Sequence, residues 1–259
     1  MTKRKTTDTT GAADTLSGLL VSAWRSGRAL DAGSVPVPAN ANQAYEIQQA
    51  VARQMGWSVE TESRAWKVGA ASVTAQPNAA FLWAHGVFDS PGRTDPGQLP
   101  FLGVEAEIAL RIGGVTTSSG QPAQVEVDAV CVSIEMVSSR FRDAMTLDPL
   151  LKLADQGLHH SLVLGQWVRE WSPDWSTIDC RLRIDGRLIA EARGAHPCGD
   201  PMFALPWLAR HAAAVGLPLR AGDVVTTGSW LGLVELNEAS IAEVEFDGVG
   251  SAAVERVKL

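Results

Sequence analysis

Residues 101–112 read FLGVEAEIALRI, and the reading of the whole chain turns on Glu105 and Glu107 inside that run. In a strand, side chains two apart share a face, so the two glutamates would stand together while Val104, Ala106 and Ile108 face the core. Carboxylates that close push one another toward protonation unless a positive group sits between them, and the simplest such group is a divalent metal. A third acid, Glu135, ends the apolar run AVCVSI at 129–134, where a charge is costly unless it opens into a cleft. Three carboxylates with water completing an octahedron suit Mg²⁺ or Mn²⁺. An E-x-E pair alone is more often a solvated strand face, and Glu243 and Glu245 in EVEF read that way. Spacing by itself leaves both readings open.

Outward from this run the chain alternates in short β-branched stretches broken by Gly, Pro, Asp and Ser, the pattern of a β-rich body. Strands are expected near 64–70, 104–112, 125–135 and 161–165. Two hairpins are expected, CRLRIDGRLIAEAR turning at Asp185-Gly186 and AEVEFDGVGSAAVERV turning near Asp247-Gly248. Before residue 60 the period is helical. One amphipathic helix is expected over Thr15–Arg28, stopping at Gly27, and a second from an N-cap at Asn42 to a left-handed cap at Gly56. A further helix is expected from Met202 to Val215. The divisions predicted are a disordered tail over 1–14, a helical region over 15–62 and a β-rich catalytic domain over 63–259.

The chain has 259 residues, 46% hydrophobic and 20% charged, with a net charge of -7, an ordinary globular composition that excludes disordered and fibrous classes. An acidic chain whose basic residues cluster only at Lys3, Arg4 and Lys5 has no field for nucleic acid. The sequence holds no apolar run of membrane-spanning length and no secretory pattern, so a cytoplasmic location and no membrane partner are expected. Cys131, Cys180 and Cys198 are too scattered for a disulfide framework and are expected as buried thiols. Nine Trp residues against one Tyr suit a core or a subunit interface.

The run GVEAEIAL, then IEMVSSRFRD, then LADQGLHHSLVLG, resembles the 2-keto-4-pentenoate hydratase and 4-oxalocrotonate decarboxylase branch of the fumarylacetoacetate hydrolase superfamily. AYEIQQAV and WKVGAAS upstream, and GDPMFALPWLARH, GLPLRAGDVVTTGSW and FDGVGSAAV downstream, follow the same order, so the resemblance covers about 15–259. It implies an α+β fold, a mixed β-roll or distorted β-barrel with a smaller helical N-terminal region, assembled as a homo-oligomer. It implies Glu105, Glu107 and Glu135 as ligands of Mg²⁺ or Mn²⁺ and Lys67 as the catalytic lysine. Ser72 and Ser229 match substrate-contacting loops. Arg140 is expected to pair with Asp143 or with the substrate's far end, and His159 and His160 to be structural or pocket-lining.

One position departs from the family. Where the branch carries an acid that helps move protons, this chain has Asn78, and an amide is neither a general acid nor a general base. A metal-bound water, His85 or Lys67 would have to serve, with Asn78 left as a substrate contact. The activity implied is addition of water to a 2-hydroxy-2,4-dienoate, giving a 4-hydroxy-2-oxo acid in aromatic meta-cleavage catabolism. The alternatives are decarboxylation of a 2-oxo-3-enedioate, with Arg140 or Arg142 receiving the second carboxylate, and C–C hydrolysis of an acylpyruvate, which needs a His–Glu pair. A companion decarboxylase or hydratase is a further expected partner. A non-catalytic subunit is disfavoured by the retained carboxylates and lysine.

Overall fold

The computed structural model describes residues 9–57, 64–95, 97, 99–117, 123–171, 174–237 and 240–257. Helices are α1 (Thr9–Ser26), α2 (Ala41–Met55), α3 (Pro149–Ala154) and α4 (Leu205–Ala214). The strands before α3 are β1 (Ala65–Gly69), β2 (Asn78–Leu82), β3 (Val87–Asp89), β4 (Gly92–Thr94), β5 (Gly103–Thr116) and β6 (Gln124–Val137). After α3 come β7 (His159–Leu164), β8 (Asp179–Ile184), β9 (Arg187–Arg193), β10 (Val224–Thr226), β11 (Val234–Glu235), β12 (Ile241–Phe246) and β13 (Gly250–Arg256).

The strands form two mixed sheets, one ordered β2-β1-β10-β5-β6-β7-β3 with β11 also on β5, the other β4-β13-β12-β8-β9. Both hairpins turn where the sequence places them, between β8 and β9 and between β12 and β13. The inner faces share one core: Val104, Ala106, Ile108 and Leu110 from β5 and Val130, Val132 and Ile134 from β6 pack with Leu182, Val244 and Phe246 of the second sheet. The sheets approach so closely at Gly165 that a Cβ there would stand 2.5 Å from the Ser251 carbonyl oxygen. Only glycine fits.

The helical boundaries shift from the sequence reading. Helix α1 begins at Thr9, so residues 9–14 are helical rather than tail, while 1–8 lie outside the described residues. Asn40, not Asn42, caps α2, its side chain accepting from the Gln43 N–H, and Gly56 closes the helix at φ 69° as expected. The N-terminal helices do not end at residue 62 in their packing. Leu16, Leu20, Ile47 and Val51 make a second core with Phe141, Leu147 and Leu151, so the segment leading into α3 is packed with the helical region.

Tryptophan is used inside the chain. Trp66 and Trp230 are core residues, and Trp24, Trp57 and Trp83 meet with ring centroids 5.5 to 6.2 Å apart. Cys131 and Cys180 are buried thiols; Cys198 is only half-buried. Among the described residues no helix is long and apolar enough to cross a membrane.

Candidate metal centre

Strand alternation puts Glu105, Glu107 and Ala109 of β5 on the face away from the main core, and Glu135, Ser133 and Cys131 of β6 beside them. Glu105 stands directly opposite Glu135 in the β5–β6 register, and Glu107 opposite Ser133. Carboxylate oxygens of all three glutamates lie within 4.8 Å of one another. This face is covered rather than solvated: Glu107 and Glu135 are buried and Glu105 half-buried, beside a small apolar cluster of Ala65, Leu82, Ala109 and Leu162. Glu243 and Glu245, by contrast, stand in solvent, the ordinary outcome for an E-x-E pair on an outer strand.

Lys67 of β1 reaches the cluster across β10. Its Nζ donates to Glu135 Oε1 at 2.5 Å and to the Gly157 carbonyl oxygen at 3.0 Å. Glu107 Oε2 is held by the Thr226 hydroxyl and by the Gly228 N–H at 3.0 Å, and Ser133 Oγ lies 3.0 Å from Thr226 Oγ1. A register shift between Met136 and Val137 sets His159 opposite Val137, which places its ring on the carboxylate face. His159 Nδ1 then sits 3.0 Å from Glu135 Oε1.

These contacts sort the charges. Burial raises Glu135, but Lys67 and then His159 outweigh it and hold this carboxylate below its usual range. Burial, with Glu135's charge next, pushes Glu105 up to about 7. Burial, then Glu135 and Glu105, pushes Glu107 up to about 8. For Lys67 burial acts downward, yet the three glutamates outweigh it and keep the ammonium charged. Burial lowers His159 despite Glu135, so its ring is neutral, with Nδ1–H donating and a lone pair on Nε2.

The set fits a hard divalent cation. All three side chains offer oxygens, and Glu105 and Glu107, pushed up to about 7 and about 8, ionise more readily once positive charge is added. Glu135 Oε2 is buried with no partner among the described residues. That oxygen wants a cation or a donor.

Residues 37–257 match the family described as fumarylacetoacetate (FAA) hydrolase C-terminal. The chain belongs to the fumarylacetoacetate hydrolase family. Among curated relatives, the 2-keto-4-pentenoate hydratase of Paraburkholderia xenovorans (strain LB400) is 29% identical over 230 residues, covering 83% of this chain and 84% of that protein. A 4-oxalocrotonate decarboxylase of Pseudomonas sp is 27% identical over 212 residues, 80% of each. The fold is that of the 4-oxalocrotonate decarboxylase from Pseudomonas putida G7 solved with magnesium and adipate, at TM-score 0.80 and 20% identity over 99% of this chain and 100% of that one.

Other positions singled out in this family member divide. Asn78 is exposed at the start of β2, paired with Gly69 on the face that carries Lys67. Ser72 lies in the turn after β1, 3.1 Å from Thr74 Oγ1. Ser229 donates to the Gly232 carbonyl oxygen at 3.0 Å, next to the Gly228 N–H that holds Glu107. Arg140 is not paired with Asp143 and does not face a substrate. It is fully buried, bonded to Asp155 through Nε and to the His159 carbonyl oxygen through Nη1 at 2.7 Å, with its guanidinium 4.1 Å over the Trp24 ring. Arg142 is exposed. His85 is exposed too, 6.2 Å from the Trp83 ring. The imidazole the cluster does contain is His159, which the sequence reading left as structural or pocket-lining, and with Glu135 it forms a His–Glu pair.

Proposed function

We propose that this chain is a divalent-metal-dependent hydro-lyase that adds water to a 2-hydroxy-2,4-dienoate, giving a 4-hydroxy-2-oxo acid in the catabolism of cleaved aromatic rings. The observation that carries it is the convergence of Glu105, Glu107 and Glu135 with Lys67 bonded to one of them. Relatives named 2-keto-4-pentenoate hydratase support the same reading.

Glu105, Glu107 and Glu135 would hold Mg²⁺ or Mn²⁺, which supplies Lewis-acid polarisation of the substrate's carboxylate and neighbouring oxygen when bound. Thr226 and Gly228 fix Glu107 through Oε2 and leave Oε1 for a ligand. Lys67 spends two of its three N–H groups on Glu135 and Gly157, which leaves the third for the negative charge that would develop on the substrate's 2-oxygen. Asn78, on the same face, can hydrogen-bond a substrate but not move its proton; Ser72 and Ser229 border the face from loops. His159 has the chemistry Asn78 lacks, a neutral ring with its Nε2 lone pair unpartnered among the described residues. It is the group we assign to proton transfer. We also carry forward a cytoplasmic homo-oligomer.

Decarboxylation is the second reading, favoured by the amide at position 78, since loss of CO₂ needs no added water. It loses one support, because Arg140 is engaged by Asp155 and is not available to a second carboxylate. The deciding experiment follows 2-hydroxypenta-2,4-dienoate and 2-oxo-3-hexenedioate by absorbance with Mg²⁺ or Mn²⁺, with Glu107→Gln as control. Consumption of the first alone, lost in the variant, is the expected result. Release of CO₂ from the second transfers the assignment to decarboxylation, and inertness toward both sinks the two readings together.

A further inference from the structure

His196, in the loop after β9, meets the metal centre through the backbone. Its Nε2 lies 2.9 Å from the Thr227 carbonyl oxygen, and its Nδ1 lies 3.2 Å from the backbone nitrogen of Cys198. A carbonyl can only accept and a backbone N–H can only donate, so these two partners fix one neutral tautomer, with Nε2–H donating and Nδ1 accepting. Burial lowers the pKa of the ring, which is 8% exposed, and so keeps it neutral. The ring is also pinned in place. The Gly199 N–H donates to the His196 carbonyl oxygen at 2.8 Å, closing a turn, and Trp230 packs edge-on with ring centroids 5.9 Å apart.

The Thr227 carbonyl and the Gly228 N–H belong to one peptide unit, which is planar and points them in opposite directions. His196 takes the oxygen end of that plane, and Glu107 Oε2 takes the hydrogen end at 3.0 Å. Strand β10 has ended just before, at Thr226, the residue paired with Lys67 of β1. Gly228 then adopts φ 102°, so the sheet ladder no longer sets the tilt of this peptide. The Thr227 hydroxyl donates to the Ile108 carbonyl oxygen at 2.8 Å, which anchors the side chain but not the plane beyond it. The same loop is tied to the end of β1, where Cys198 Sγ lies 3.7 Å from the Ala70 carbonyl oxygen.

We propose that His196 is a positioning residue of the metal centre: by holding the Thr227 carbonyl oxygen it sets the tilt of the Thr227–Gly228 peptide, keeps the Gly228 N–H on Glu107 Oε2, and so leaves Oε1 facing the cation. A bond to the carbonyl also polarises the peptide and strengthens its N–H as a donor. The inference rests on the metal reading above, and two arms of its test need no metal.

The test compares His196→Phe, which keeps a ring against Trp230 but has no donor, with His196→Gln, whose amide nitrogen can still donate to Thr227. In the metal-free protein, amide hydrogen exchange at Gly228 is expected to quicken roughly threefold to tenfold in His196→Phe, the share of one hydrogen bond, with Val244 of β12 unchanged. In His196→Gln it stays near the parent rate. Mn²⁺ affinity by electron paramagnetic resonance follows the same order, weaker by a similar factor in His196→Phe and restored in His196→Gln. Gly228 exchange unchanged in folded His196→Phe overturns the assignment, as does exchange that quickens equally at Gly228 and Val244, or a His196→Gln protein as impaired as His196→Phe. Nitrogen NMR of the unsubstituted protein is expected to show His196 as the Nε2–H tautomer, and the Nδ1–H tautomer overturns it whether or not the variants fold. Absence of Mn²⁺ binding by the parent protein sinks the metal reading alone; the Gly228 exchange rates still decide the hold of His196 on this peptide.

Discussion

Glu107 keeps its proton at neutral pH when no cation is bound, and that has a measurable sign. Its carboxyl titrates at about 8 and that of Glu105 at about 7, against 4.5 for a free glutamate. Between those values the unfolded chain has released protons that the folded chain retains, so stability falls as pH rises. Calorimetry in chelator is expected to show Tm falling from about pH 5 to about pH 8. Glu107→Gln, with no proton to lose, flattens that slope and melts higher at the alkaline end. The opposite sign would mean that the carboxylates are already ionised. His159 is a second residue whose role can be read directly. If its bond orients Glu135 toward a cation, His159→Phe weakens Mn²⁺ binding roughly 10- to 100-fold. Titration followed by electron paramagnetic resonance measures this, and unchanged affinity would show that the bond from His159 does not orient Glu135 toward the cation.

At the scale of elements, the turn between α3 and β7 joins the site to the helical region. Gln156, Gly157 and Leu158 all have left-handed φ, 53°, 60° and 65°, and this places the Gly157 carbonyl under Lys67. A Cβ at Gly157 would lie 3.5 Å from Lys67 Cε, so the glycine is needed for its φ more than for room. Just before the turn, Asp155 accepts from Ser139 Oγ at 2.9 Å and from the Arg140 N–H at 3.0 Å, besides pairing with the guanidinium. Breaking a buried pair on one side leaves the other charge uncompensated. Asp155→Asn is therefore expected to destabilise by about 3–5 kcal/mol, read from urea denaturation with an unchanged m-value. A loss near zero would show that Arg140 is held by its backbone contacts and Trp24 alone.

For the molecule as a whole, a cation bound only by the folded state stabilises it by mass action. Mn²⁺ at one hundred times its Kd is expected to add about 2.7 kcal/mol. That corresponds to a rise in Tm of roughly 5–10 °C. No rise would revive the non-catalytic subunit. The proposed self-association has an available surface in β9, an edge strand that exposes Leu188 and Ile189. Light scattering is expected to give a multiple of the chain mass, reduced by Leu188→Lys; a single-chain mass ends that proposal. Much of this architecture is legible in local pattern. Alternation in 101–112 sets which face bears the glutamates, Asp-Gly pairs set both hairpin turns, and Gly56 ends its helix, because each depends on a residue's immediate neighbours. Partnerships between distant residues are not encoded that way. Thr226 and Gly228 hold Glu107 from about 120 residues away, Arg140 bonds Asp155 rather than the nearer Asp143, and a one-residue register shift turns His159 toward Glu135. The sequence by itself determined the alternating strands, the turns and the three acids. Tertiary structure alone decided which groups meet those acids and how far each is buried, because strand register and desolvation are properties of the packed chain and not of any local spacing.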